Sequence, residues 1–219
     1  MPNTTERAAA SCGGSSQAVY QMVARALARR HSGGGTLLDV GCGVGALRSY
    51  AAAHVQDYVG ADVIRYEDFP AEARFVSIDL DAGRVPLPDA CAEVVAAVET
   101  IEHLENPRAF FRELRRLVKP GGLIVVTTPN QLSLLSKLTL LTKNQFNAFQ
   151  EGPGLYPAHI TCLLEEDLRR IARETGLDQV EIAYSDHGRL PLSARSWPTG
   201  FGFHGRRFSD NLLCSGKAS

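Results

Sequence analysis

With 219 residues the chain is long enough to bury a core, and the length suits one domain with a lid or an extra segment. Its 23 Lys and Arg are interspersed with 24 Asp and Glu, so a formal net charge of −1 offers none of the single-signed surface that binding to a nucleic-acid backbone demands. No apolar run approaches membrane length. The five cysteines (Cys12, Cys42, Cys91, Cys162 and Cys214) are odd in number and lack C-x-x-C spacing, which predicts free thiols in a reducing, cytoplasmic setting.

Residues 1–15 are rich in Ser, Ala and Gly without an apolar leader stretch, and predict a disordered tail ahead of a single domain over 16–219. From 16 to 31, Val19, Met22, Val23, Ala26 and Leu27 recur at three and four, which makes one face of an amphipathic helix ended by Ser32-Gly33-Gly34-Gly35. The apolar run 36–40 then predicts a strand, followed by a tight loop holding Gly41, Gly43 and Gly45 and a helix to about residue 54. These glycines let the backbone turn sharply and approach a ligand, with Cys42 as a small filler between them.

Gly41-Cys-Gly43-Val-Gly45-Ala46 also satisfies the dinucleotide pattern G-x-G-x-x-G/A, so the glycines alone leave an NAD-dependent oxidoreductase open. Asp39 separates the two ligand classes. A carboxylate two residues before Gly41, at the end of the strand, would repel a pyrophosphate and attract an ammonium, unless it merely caps the loop's own amides.

Residues 57–62 predict a second strand ending in Asp62, about twenty residues beyond the glycines, where an acidic side chain accepts ribose hydroxyls or caps a turn. Residues 74–78 predict a third strand, and 93–98 a fourth that is continuously apolar, as a strand buried on both faces should be. If Glu99 opens a helical turn, Glu102 and His103 share its face at the C-terminal edge of the sheet. Asn106 and Pro107 start a helix that Gly121-Gly122 ends, with Arg112, Arg115, Arg116 and Lys119 on its solvated face, and 123–128 is the fifth strand.

Residues 129–157 interrupt the alternation with one apolar helix over 132–141 and a Gly-, Pro- and aromatic-punctuated stretch, which predicts a lid at about 130–160 or a homodimer contact. A helix over 164–175 and a sixth strand over 178–184 follow, with a last strand at 211–217. Residues 190–208 offer a second candidate substrate wall.

Asp39, Gly41, Gly43 and Gly45, together with the later run Leu117-Val-Lys-Pro-Gly-Gly-Leu-Ile-Val-Val-Thr-Thr-Pro129, resemble the motifs of the class I S-adenosylmethionine-dependent methyltransferases. The resemblance implies an α/β, doubly wound, Rossmann-like seven-stranded sheet in the order 3-2-1-4-5-7-6 with the seventh strand antiparallel. It implies S-adenosylmethionine as methyl donor, bound by Asp39, Gly41, Cys42, Gly43, Gly45, Asp62, Asp79, Leu80 and Glu99, with Asp79 at the adenine amino group and Leu80 against the ring.

The Glu-x-x-Glu-His arrangement of Glu99, Glu102 and His103, completed by His159, is similar to that of two branches of the family, the ubiquinone-biosynthesis O-methyltransferases and the enzymes that methylate small-RNA 3′ ends. That resemblance implies a divalent metal on Glu99, Glu102, His103 and His159, although one downstream histidine stands where those branches tend to carry a pair. Without a metal, His103 or His159 beside Glu102 would be the catalytic base. The implied acceptor is the hydroxyl of a small metabolite such as a sugar, a phenol or a secondary metabolite. A metal-dependent RNA 2′-O-methyltransferase and a cofactor-binding partner subunit without catalysis remain as alternatives.

Overall fold

The computed structural model describes residues 4–10, 13–81, 83–152, 155–191, 193, 195–198 and 202–219. In chain order these form helices α1 (Thr4–Ala10) and α2 (Gln17–Arg30), strand β1 (Thr36–Val40), α3 (Leu47–Ala51), β2 (Asp57–Asp62), β3 (Arg74–Ser77) and β4 (Ala92–Ala97). A 3-10 turn (Ile101–His103) leads to α4 (Pro107–Leu117), β5 (Val118–Pro129), α5 (Leu134–Lys143), a second 3-10 turn (Asn147–Phe149), α6 (Glu165–Glu174), β6 (Leu177–Tyr184) and β7 (Asn211–Ala218). The strands make one sheet in the order 3-2-1-4-5-7-6, in which β7 runs antiparallel to both of its neighbours. This is the doubly wound, Rossmann-like sheet that the motifs implied.

Both faces of the sheet are covered, which explains why its central strands are apolar throughout. Leu37, Val94, Ala96, Leu123 and Val125 pack under α2 and α3 on one face. Their sequence neighbours Leu38, Val95, Ile124 and Val126 point the other way, onto Phe110, Phe111, Leu114, Leu168 and Ile171 of α4 and α6. Local signals set the helix ends. The Asn106 side chain accepts the Ala109 N–H at 2.9 Å ahead of Pro107, Ser133 caps α5 through the Ser136 N–H at 3.1 Å, and Asp167 takes the Leu164 N–H at 3.0 Å.

Several boundaries differ from the expectation. Helix α4 stops at Leu117, four residues short of Gly121, because Val118 is already extended and pairs with Ala92 of β4. Within the described part of 1–15, α1 forms, the Ala8 carbonyl accepts the Tyr66 hydroxyl at 2.6 Å, and the Gly13 carbonyl accepts the Val44 N–H at 2.9 Å. Cys12 falls outside the described residues, and the other four cysteines are free thiols.

The insertion, where a dimer contact was one expectation, carries α5, whose Leu138 and Leu141 are 44% and 81% exposed. The basic residues of α4 are largely paired, Arg116 with Glu113 and Asp89, and Lys119 of β5 with Glu93. No helix among the described residues is long and apolar enough to cross a membrane.

Candidate active site

The strand order reverses between β1 and β4, so the chain leaves these neighbours toward opposite faces and a crevice opens beyond their C-terminal ends. The glycine loop after β1 forms its floor. Gly41 has φ +77° and an added Cβ would lie 2.3 Å from Thr100 Oγ1, while Gly43 has φ +51° and its Cβ would lie 1.9 Å from the Gly13 carbonyl oxygen. Neither position admits a side chain. Asp62 braces the loop, accepting the Gly43 N–H on one oxygen at 2.8 Å and the Val63 N–H on the other at 2.7 Å.

The resulting cavity of about 260 Å³ brings together Asp39, Gly41, Cys42, Gly43 and Asp62 with Leu80, Glu99, His103 and His159. Gly45 lies at the exit of the loop, its N–H donating to the Cys42 carbonyl at 2.8 Å. Asp79 lies outside the cavity wall, exposed, with one oxygen accepting the Asp81 N–H at 3.0 Å. Glu102 stands behind the wall.

Charge in this crevice is negative and poorly solvated. Asp39 is 2% exposed; its Oδ2 accepts the Tyr58 hydroxyl at 2.7 Å, and its buried Oδ1 has no hydrogen-bond partner. Burial pushes its carboxyl up to about 7, the Tyr58 hydrogen bond opposing and the Asp62 charge adding. Glu99 sits at φ +51°, a left-handed conformation unusual outside glycine, with its N–H on Thr127 Oγ1 at 2.9 Å and its Oε2 accepting Asn211 Nδ2 at 2.6 Å. Its buried Oε1 also has no partner, and burial raises this carboxyl to about 7 against the hydrogen bonds from Thr127 and Asn211. Two buried carboxylate oxygens without donors are costly and suit a cationic ligand.

Glu102, in the 3-10 turn, is fully buried; its Oε2 accepts the Thr128 hydroxyl at 3.0 Å and its Oε1 has no partner. Burial first, and the neighbouring Glu99 charge second, hold its carboxyl well above the ordinary range. The backbone carbonyl of Glu102 accepts the N–H groups of Ile160 and Thr161, both at 2.9 Å, and so pins the returning end of the insertion. This seats the His159 ring 4.8 Å from that of His103, edge to face.

His103 Nδ1 lies 2.9 Å from the Ala158 carbonyl oxygen and His159 Nδ1 lies 2.8 Å from that of Ala148. A carbonyl oxygen only accepts, so each Nδ1 carries the hydrogen, and in His159 the basic atom is Nε2. Burial lowers the His159 pKa and keeps that ring neutral at pH 7. One ligand atom from each of Glu102, His103 and His159 lies within 4.8 Å of the others. Glu99 is not in that cluster: its positive φ breaks the helical turn expected from 99 to 103, and Asn211 draws its carboxylate toward β7.

Sequence reasoning missed the residues that hold these groups. Tyr58 reaches Asp39 because the parallel register sets Tyr58 opposite Leu37. Thr127 and Thr128 carried a signal in principle, two polar residues closing an otherwise apolar strand and both buried. Asn211 and the 13–15 strap over the cavity carried none, since only the folded chain brings them here.

A methyltransferase-domain family model matches residues 16–182. A Mycolicibacterium smegmatis protein named a probable S-adenosylmethionine-dependent methyltransferase is 32% identical over 175 residues, covering 78% of this chain and 61% of the relative. A ubiquinone biosynthesis O-methyltransferase of Cereibacter sphaeroides is 35% identical over 154 residues, covering 66% of this chain and again 61% of the relative. The chain thus spans about three fifths of the length of these relatives. Among solved structures, an S-adenosylmethionine-dependent methyltransferase from Thermotoga maritima superposes with a TM-score of 0.64 at 16% identity, over 91% of this chain and 89% of that one, a likeness of fold.

Proposed function

The chain belongs to the S-adenosylmethionine-dependent methyltransferase family, and from that premise we propose that it moves the methyl group of S-adenosylmethionine to a hydroxyl oxygen of a small metabolite. The observation that carries this reading is the histidine pair at the edge of the cofactor cavity, two imidazoles with Nδ1–H spent on backbone carbonyls, of which His159 presents a basic Nε2. An imidazole near its reference pKa takes a hydroxyl proton at neutral pH. The acceptor oxygen then attacks the methyl carbon in line with its bond to sulfur. The sulfur leaves with the bonding pair as a neutral thioether, and the imidazolium returns its proton to solvent.

Asp39 and Glu99 receive the α-ammonium of the donor, Asp62 the ribose hydroxyls beside its loop contacts, and Leu80 the adenine ring, with Asp79 near the adenine at the rim. Gly41, Cys42, Gly43 and Gly45 let the donor lie close to the backbone. A second reading is favoured by the unpartnered Oε1 of Glu102 beside the two histidines. Glu102, His103 and His159 would hold a divalent cation there, and its charge would lower the pKa of an acceptor hydroxyl.

With 13C-methyl donor and an extract of hydroxylated metabolites, the label is expected in methyl ethers of small molecules, at a rate unchanged by excess EDTA. Loss of rate in EDTA, restored by a divalent metal, selects the second reading. Label appearing only on nitrogen, carbon or RNA contradicts both.

A further inference from the structure

Behind His159 lies a second cavity of about 270 Å³. The two spaces adjoin: His159 lines both, and Asn211, in the wall of the second, hydrogen-bonds to Glu99 in the wall of the first. An acceptor held there would meet His159 from the side away from the glycine loop.

The chemistry of this wall is particular. None of its described lining residues is Phe, Tyr or Trp, and only Pro129, Ala148 and Leu155 are apolar. Arg189 is held by Asp210 through Nε at 2.6 Å, and the terminal nitrogens of its half-exposed guanidinium make no hydrogen bond among the described residues. Asn147 accepts from Gln150 on its Oδ1 at 3.4 Å, while its Nδ2 donates to nothing described. Asn211 spends its Nδ2 on Glu99 and leaves its Oδ1 open. The wall therefore offers a guanidinium, a carboxylate, an amide donor and an amide acceptor together. Among the described residues of the 190–208 stretch, the aromatic side chains of Trp197, Phe203 and Phe208 pack on one another instead of joining it.

We propose that this second cavity is the acceptor subsite and that the acceptor is a polyhydroxylated ring, a sugar or cyclitol, and not a phenol or prenylated quinone. The proposal rests on the O-methyltransfer reading above. Each hydroxyl of such a ring both donates and accepts, so it matches a wall of mixed amide, guanidinium and carboxylate groups, with the Arg189–Asp210 pair suited to a vicinal diol. A flat apolar ring would bury the same groups without partners, and a site built to bind hydroxyls rejects a ligand that lacks them.

The test presents the full chain and labelled methyl donor with two probe pools, methyl glycosides plus inositols, and catechols plus hydroquinones. Transfer is expected to the first pool. Arg189→Met should raise KM for the methylated glycoside or inositol tenfold or more while the Kd for S-adenosylhomocysteine stays within twofold. Preferential transfer to the catechols, or an unchanged KM in the variant, overturns the subsite and leaves O-methyltransfer standing. No transfer to either pool by a chain that still binds S-adenosylhomocysteine defeats the underlying reading as well.

Discussion

Asp39→Asn is expected to weaken S-adenosylhomocysteine binding about a hundredfold or more without lowering the melting temperature of the ligand-free protein. The loss follows from removing one partner of a desolvated charge pair, about 3 kcal/mol and hence about two decades in affinity. The stability half follows from linkage. In the folded chain the Asp39 carboxyl keeps its proton up to about 7, whereas an unfolded chain releases it near the ordinary aspartate value of 3.8. Between those values the native state binds more protons, so the Asp39 contribution to stability falls as pH rises through this window. Asn keeps an oxygen for the Tyr58 hydroxyl and removes that decline. Calorimetry and thermal unfolding read both halves. If Asp39 only caps the loop, the variant will melt several degrees lower and bind almost normally.

The second large effect belongs to the histidines. His103→Ala or His159→Ala is expected to lower kcat by about a hundredfold or more, the usual share of a general base, with cofactor affinity nearly kept. If one ring is the base and the other positions it, the double variant will be little worse than the more damaged single variant. In the wild type, kcat should rise with pH until the basic imidazole is neutral and then level off. Because burial lowers His159, that plateau begins on the acidic side of the reference imidazole value if His159 is the base. Steady-state rates on a methylated acceptor decide it. Single variants that both retain rates within threefold of wild type would remove the imidazoles from proton transfer.

The sheet was legible in the sequence because its signals are local. Strand 36–40 with its glycine loop, the apolar fourth strand and the Asn106-Pro107 helix start each sit within a few residues of what causes them. The seventh strand and its direction came from resemblance, and the pairing of β7 with β5 and β6 agrees. The site was only half legible. Asp39, Asp62, Glu102, His103 and His159 were singled out by type and spacing as candidates, but the departure of Glu99 from the cluster depends on its positive φ and on Asn211, 112 residues away. Helical spacing from 99 to 103 had no means of anticipating either. The polar cavity behind His159 was equally hidden, because its wall joins the insertion to residues 187–211.

The central claim is that the crevice after β1 is built for a cation, and proton linkage measures it most directly. Burial holds both Asp39 and Glu99 at about 7, and an ammonium beside them favours their ionised forms. Titration calorimetry with S-adenosylhomocysteine at pH 6, in two buffers of different ionisation enthalpy, should therefore show proton release to the buffer. Affinity should rise about tenfold per pH unit for each carboxyl that must ionise, and flatten above pH 7. Heat independent of buffer with affinity constant across this range, or tight binding of NADH in place of S-adenosylhomocysteine, would contradict the account.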